Sequence, residues 1–583
     1  MNGALLSSKK MDYCTPQGFF DTLNAEFHFT LDAAATGKSA KCKQFYTPET
    51  DGLTAPWNIG GGSVFCNPPY GRALGAWVRK AYEEAQAGTT VVLLIPARTD
   101  TAYFHDYIYT SEQATSMTAP VTGTAGLQVV VGTAPVNMLE HPEQAVNTPL
   151  LAYNYKEAVA AVGYHDDFAA YTLCESISAA FSVVGTGPLV LINVLDPAKH
   201  TADIAETTVQ VNSGVAVLDV VGVLLDKLTV KSGSTALTRD TDYTASFNND
   251  GTLNIVPLAG GKAASATTLT VTGKKLDPSK VKAADIVGGV DAATGKETGL
   301  EVVRQIYPKL SMTPGILLAP RFSMDATVAA ALQAKTKEIN GVFKAVCIVD
   351  IDSTASGATK YTDVKQRKEA QAVSDANAYA VWPCAKVGEV VYSGSALAAA
   401  LTAYTDAVNA DTPNVSPSNK TLAISAACLA DGTEVVLDQE QANTVNGFGV
   451  ATFLNMSGFR LWGNNTAAYP GNTDPKDRWF SVRRFLSWAA NSFILTYFSK
   501  VDSPANKRLI EAIVDSENVR GNGFVARGVC ARYEVIYDEA ENTTADLLDG
   551  KITFHQYITP YTPAEDIEDV IEFDPDALTT ALS

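Results

Sequence analysis

The spacing of apolar residues divides this chain into stretches of different texture. Near the start, Val64, Phe65 and Cys66 form a short apolar run that enters a turn made of Asn67, Pro68, Pro69 and Tyr70. Residues 73–87 follow, with Trp77, Val78 and Ala81 at helical spacing, so a strand–turn–helix unit is predicted there. The texture breaks at residues 104–116. Beyond 110, charge becomes sparse and Ser, Thr, Ala, Val and Gly dominate. Residues 119–134 read as an extended entry followed by a buried strand. Helices near 154–162 and 172–182 then precede a strand at 189–194, which is an α/β opening.

Residues 206–275 change period again. Short strands at 207–212, 228–233, 243–247, 253–256 and 268–273 alternate with Gly, Asp and Asn turns, and Asn249, Asp250 and Gly251 make a hairpin signal. A small inserted β-domain is expected. In 276–440 strands at 315–320, 345–350 and 378–382 alternate with helices at 325–339 and 395–407, which predicts a sheet with helices on its faces. In 441–583 a helix at 478–499 carries Val482, Phe485, Leu486, Ala489 and Phe493 as one apolar stripe of core. Strands at 529–537 and 552–559 follow it. The expected fold class is multidomain α/β and α+β, with segments 1–109, 110–205, 206–275, 276–440 and 441–583.

Composition narrows the function classes. A chain of 583 residues exceeds a single core and suggests about three to five domains. With 46% hydrophobic and 18% charged residues it is an ordinary folded protein. The net charge of −19 is uneven: residues 1–109 hold 9 Lys/Arg against 10 Asp/Glu, and residues 110–583 hold 35 against 53. That acidity argues against a nucleic-acid-coating surface and favours protein partners. The eight cysteines are scattered without CxxC or His-paired spacing, so neither structural zinc nor a disulfide framework is expected. Residues 1–10 lack the apolar core of a signal peptide. The uncharged run 176–195 raises a membrane question, but Gly185, Thr186, Gly187 and Pro188 break it into a predicted buried helix and strand. Synthesis in the cytosol and no membrane partner are expected.

A rigid Asn-Pro-Pro-Tyr turn after a strand suits methylation of an exocyclic amine. The proline rings fix φ. The Asn67 amide oxygen and the Pro68 carbonyl can accept both hydrogens of an adenine 6-amino group, turning the nitrogen lone pair toward a methyl donor. Tyr70 offers a face for an extruded base. Residues 11–109 resemble the phage DNA adenine-N6 methyltransferase (Dam-like) family. The carriers are Thr15 and Pro16, the run 29–35, the run 45–53 with Trp57, the turn 67–70, and the runs 91–97 and 99–105. The resemblance implies an incomplete Rossmann-like segment and S-adenosylmethionine as donor. It gives Asn67, Pro68, Pro69 and Tyr70 the catalytic roles, and Asp32, Ala33 and Asp51 the donor contacts. A helix N-cap is the other reading of Asp32. A clear GxG after the first strand is missing, although Gly37 lies nearby. The family's pattern continues past 109 with at least two strands that complete the sheet and one pocket wall. They do not follow here, and no basic patch suits duplex DNA. The segment reads as an inactive fragment, with DNA a partner only if it is active.

Residues 107–583 resemble the contractile-tail sheath family of phages and related injection devices. The carriers are the opening run 109–116, the run 315–323, the run 461–466, and the strand pair near the C-terminus that ends at 572–575. The resemblance implies a subtilisin-like α/β core, an inserted β-domain and a C-terminal α+β domain. It also implies a virion protein assembled in the host cytoplasm, without a cofactor. Subunits would polymerise helically around a tail tube above a baseplate, linked by N- and C-terminal arms. Residues 476–532 hold 10 Lys/Arg against 5 Asp/Glu, whereas 538–583 hold 12 Asp/Glu and the single Lys551, so arm and body complement each other between copies. A solvated acidic terminus is the other reading. None of the six histidines lies in 276–440, so that region cannot hold a Ser-His-Asp triad. The leading expectation is a sheath subunit carrying an inactive methyltransferase segment. Two others stay open: an active adenine methyltransferase fused to a structural domain, and a junction created in gene prediction or assembly.

Overall fold

The computed structural model describes residues 14–59, 61–71, 73–96, 103, 107 and 121–582. The junction at 104–116, Tyr107 apart, lies outside the described residues. So do the N-terminal ten residues and the opening run of the sheath resemblance. The chain divides into two compact units, 1–118 with 507–516, and 119–506 with 517–583.

In the first unit, helix α1 (Gln17–Phe27) leads into strand β1 (Phe29–Asp32), followed by β2 (Gln44–Phe45), β3 (Ser63–Cys66), helix α2 (Leu74–Gln86) and β4 (Val91–Leu93). The strands form one parallel sheet in the order β2-β1-β3-β4. Leu74, Trp77, Val78 and Ala81 recur every three or four residues on α2 and are the face it buries. Of these, Trp77 and Ala81 pack with Leu31, Val64, Cys66 and the fully buried Trp57. Among the described residues β4 pairs only with β3, and its three residues are half-exposed. One backbone edge of this sheet therefore has no described partner strand.

The second unit is built on an eight-stranded sheet. From edge to edge it runs Phe459–Trp462, Val450–Asn455, Ala378–Val381, Val346–Asp350, Ile316–Leu318, Gln128–Gly132, Leu189–Asn193 and Leu150–Ala152. The six central strands are parallel, and each edge strand is antiparallel to its neighbour. Every residue of Gln128–Gly132, Leu189–Asn193 and Val346–Asp350 is buried, as a parallel sheet covered on both faces requires. The Ala-rich helix Gly394–Val408 packs against this sheet, and its small side chains let it lie close. Asn154 and Asp325 cap the helices Tyr155–Val162 and Ala326–Lys335 through their side-chain oxygens. Helix Thr172–Ile177 runs on as a π-turn, Ser178–Val184, before Leu189–Asn193. The run 176–195 is thus a helical stretch buried through Ala180 but half-exposed or exposed over 181–185, followed by a wholly buried strand. No helix of the described residues is long and apolar enough to cross a membrane.

Between Thr201 and Leu276 the chain leaves this sheet to form a seven-stranded antiparallel one. Its long partners are Thr201–Asn212 and Thr268–Leu276. It has its own core of Val230, Leu253, Ile255, Leu269 and Val271. Farther on, helix Phe480–Tyr497 and helix Lys507–Ala526 precede a two-stranded ribbon, Cys530–Ile536 with His555–Pro560. Residues 561–574 have no regular structure and end in the exposed helix Pro575–Leu582. The sequence pattern extends the strand character to 572–575, but the ribbon stops at Pro560. A lone strand has no ladder to join.

Candidate functional site

Two places hold concentrated polar chemistry, one in each unit. In the first unit a cavity of about 250 Å³ opens at the C-terminal ends of the parallel strands, where strand ends and loops leave backbone groups facing a ligand. Asp32 ends β1 and lines it, beside Ala33, Asp51, Asn67, Pro68 and Pro69. The Asp32 carboxylate accepts N–H bonds from Ala34 at 3.4 Å and Lys41 at 3.0 Å, so it shapes its own loop and caps no helix. Burial pushes its carboxyl above the ordinary value against those two donors. Ala33 is fully buried, and its carbonyl lies where a Cβ on Gly52 would collide at 2.2 Å, so only glycine allows the loop at 51–52 to approach. Asp51 sits at φ 44° and is exposed, accepting from Leu53 N at 3.2 Å and from the Thr54 hydroxyl at 3.2 Å.

Asn67 follows β3 with its amide fixed at both ends. Its Nδ2 donates to Thr15 Oγ1 at 3.0 Å, and its Oδ1 accepts from the Tyr70 hydroxyl at 3.1 Å. The Tyr70 hydroxyl also lies 3.4 Å from the Leu94 carbonyl. Pro68 is buried and Pro69 exposed. The structure therefore gathers six of the seven sequence-singled residues around one cavity and leaves Tyr70 outside its lining. The arrangement offers an amide oxygen of set orientation beside two carboxylates. Thr15, buried at the start of α1, holds that orientation; the sequence marked it only as a resemblance carrier.

The second place lies under the C-terminal ends of the large sheet, and sequence reasoning missed it. Asp350 ends its strand fully enclosed, accepting from Ser323 Oγ at 2.9 Å, Ser395 Oγ at 2.6 Å and Ser395 N at 2.7 Å. Beside it Glu175 is 0% exposed and takes Arg321 Nε at 3.2 Å and the Ser393 N–H at 2.5 Å. Burial raises both carboxyls, opposed by the serine donors at Asp350 and by Arg321 at Glu175. Serine beside a carboxylate superficially fits nucleophilic catalysis. This cluster has no imidazole to take the serine proton and no opening to a substrate, so it acts as a polar clamp. Its signals were a carboxylate at the end of an apolar strand and two serines at the start of the Ala-rich helix, Ser393 just before it and Ser395 in its first turn. Among the described residues no three His, Cys, Asp or Glu side chains gather as a metal would need.

The surface adds a third feature. Past the ribbon, Ile567, Val570, Ile571 and Phe573 are between 76% and 89% exposed in a stretch otherwise rich in carboxylates. One residue ties this tail back to the body: Glu565 pairs with Arg478 at 2.7 Å, whose guanidinium stacks 3.9 Å over Trp479.

Fold and site thus define a two-part chain: a small parallel-sheet unit with a carboxylate-and-amide cavity, and a large α/β unit with a buried serine–carboxylate cluster. The family described as DNA N-6-adenine-methyltransferase (Dam) matches residues 3–120. The chain is 27% identical over 469 residues to the tail sheath protein of Burkholderia phage BcepMu, covering 76% of this chain and 93% of that protein. It is 33% identical over 93 residues to the DNA N-6-adenine-methyltransferase of Escherichia phage T1, covering 16% of this chain and 38% of that enzyme. A cryo-EM structure of the anti-feeding prophage helical sheath in the contracted state aligns with a TM-score of 0.48 at 14% identity, over 80% of this chain and 97% of that one. The long part of the chain is thus similar to tail sheath proteins, and its N-terminal part to the Dam methyltransferase family. That segment spans well under half of the T1 enzyme it matches.

Proposed function

We propose that this protein is a structural subunit of a contractile phage tail sheath, a helical polymer around the tail tube that drives the tube on contraction. The observation that carries the reading is the match to the BcepMu sheath protein over 93% of its length. In this reading the large sheet with its flanking helices is the subtilisin-like core, drawn from 276–440, the α/β elements of 110–205 and, beyond the expected boundary at 440, the strands Val450–Asn455 and Phe459–Trp462. Residues 206–275 decorate it, and 441–583 end in an arm. The exposed apolar residues at 567–573 among carboxylates fit an arm that lies against a basic neighbouring copy. Tube and baseplate proteins would be the other partners. The protein would reside in the virion after assembly in the host cytoplasm. Electron microscopy of the purified full chain tests the reading: helical tubes or rings are expected, and dispersed single subunits at every concentration contradict it.

The N-terminal segment is a truncated Rossmann-like methyltransferase piece that does not transfer methyl groups. Its four described strands leave β4 without a second partner, and the matched enzymes extend well beyond it. The cavity favours a second reading, an active enzyme, because it joins Asp32, Asp51 and Asn67. Asp32 and Asp51 would hold S-adenosylmethionine, which supplies the methyl group when bound. Asn67 and the Pro68 carbonyl would hold the adenine amino group, and Tyr70 would stack on the base. Calorimetry with S-adenosylmethionine, with Asp32→Ala as control, separates the two readings. No binding to the wild-type chain removes the enzyme; binding that the control abolishes, accompanied by methylation of duplex DNA, establishes it.

A further inference from the structure

The seven-stranded insert meets the central unit at two histidines that share one unusual constraint. His165 Nδ1 accepts the backbone N–H of Asp167 at 2.9 Å, so its Nε2 carries the proton and donates to the Asp250 carbonyl at 3.1 Å. Asp250 lies in the hairpin turn of the insert. Gly251 beside it has φ +79°, and a Cβ there would come within 3.0 Å of the His165 ring. His200 immediately precedes the first strand of the insert. Its Nδ1 accepts the Asp196 N–H at 3.0 Å, which again places the proton on Nε2, 3.5 Å from Asp285 Oδ1. The His200 carbonyl accepts from Asp277 N at 2.9 Å, just past the last insert strand. Entry and exit of the insert are thus tied at His200, and its far turn at His165.

From this geometry we infer that His165 and His200 form a proton-sensitive latch that fixes the orientation of the insert and opens when the rings are protonated. A second ring proton must go onto Nδ1. At both histidines Nδ1 already faces a backbone N–H, so protonation sets donor against donor and forces the ring or the turn to move. The surroundings bear on this at each ring. At His165 they are Asp166, Asp167 and Asp250, with Tyr171 and Cys174 on the adjoining helix. At His200 they are Asp196, Lys199 and Asp285, with Lys280 and Lys282 on the return chain. Burial holds the His200 imidazole below its ordinary value despite Asp285. The sign follows for His200: its part of the latch is fully present above the unfolded histidine value and is lost as pH falls through the lower folded one. The insert does not detach on opening. Leu224 and Leu276 are buried in the central core, and Asn137 Nδ2 donates to the Val223 carbonyl at 3.3 Å, which leaves a pivot.

Hydrogen–deuterium exchange on the full chain, corrected for intrinsic rates, tests this at about pH 7.5 and pH 5. Acidification is expected to cut protection at 165–168, 196–200 and 248–252 by about tenfold, while the strand Val346–Asp350 and the insert core keep theirs. Asparagine at each position retains an acceptor near Nδ1 without a titrating ring. The His165→Asn/His200→Asn variant should therefore show no acid-induced loss, and each single variant should show loss only at the remaining histidine. Unchanged wild-type protection overturns the latch. So does an equal acid loss in the double variant, which would assign the effect to carboxylates. If the double variant does not fold, the wild-type exchange profile and the two single variants decide the question.

Discussion

The two units handle the same problem, a parallel sheet in water, in opposite ways. The large sheet places an antiparallel strand at each edge and covers both faces, so its central strands are wholly buried. The small sheet has four described strands, and its edge strand β4 is half-exposed. Among the described residues, antiparallel strands close both edges of the large sheet, whereas β4 pairs with β3 alone. The difference is one of how far each sheet is covered. It also predicts two unfolding transitions of unequal size, since independent units need not melt together.

The largest effect should come from the buried pair Arg484–Asp406, each side chain 2% exposed. Asp406→Ala strands an uncompensated guanidinium and should cost about 3–5 kcal/mol. Calorimetry should place the loss in the large transition alone. In the small sheet an apolar truncation, Leu31→Ala, leaves a cavity and should cost about 2–5 kcal/mol in the small transition and leave the large one in place. A single shared transition would break the comparison.

Next comes Lys368, buried on the large unit, where Nζ donates to the carbonyls of Phe448 at 2.6 Å and Tyr469 at 2.9 Å. Burial lowers its amine from 10.5 to about 8. Between these values the unfolded chain holds a proton that the folded chain has released, so stability rises with pH across that window. The gain is on the order of 3 kcal/mol. Lys368→Met should abolish the slope in denaturant titrations at pH 8 and pH 10, and an identical slope in the variant contradicts the assignment. Smallest of all, Glu565→Gln removes the partly exposed pair with Arg478 and should shift stability by about 0–1 kcal/mol, less in high salt.

Local features were legible in the sequence. The helix at 73–87 is Leu74–Gln86, the Asn249-to-Gly251 hairpin joins Tyr243–Phe247 to Leu253–Pro257, and the helix at 154–162 starts at its Asn154 cap. Helix Lys507–Ala526 leaves a weak signal in the sequence, because Gly521 and Gly523 and a polar second half blur its stripe. The strand Val215–Leu218 hid behind a two-residue turn directly after a long strand. Around the first cavity, Asn67, Pro68 and Pro69 are contiguous, so their turn could be seen. The Asp350 clamp could not, because its serines lie 27 and 45 residues away and meet only through the sheet.

In the proposed assembly, copies of this chain are joined through their arms. Sedimentation velocity of the purified full chain, compared with the same chain lacking residues 564–583, reads that linkage. Large polymers are expected from the full chain and single subunits from the shortened one. Equal polymerisation of both, or a full chain that stays a single subunit at every concentration, would contradict it.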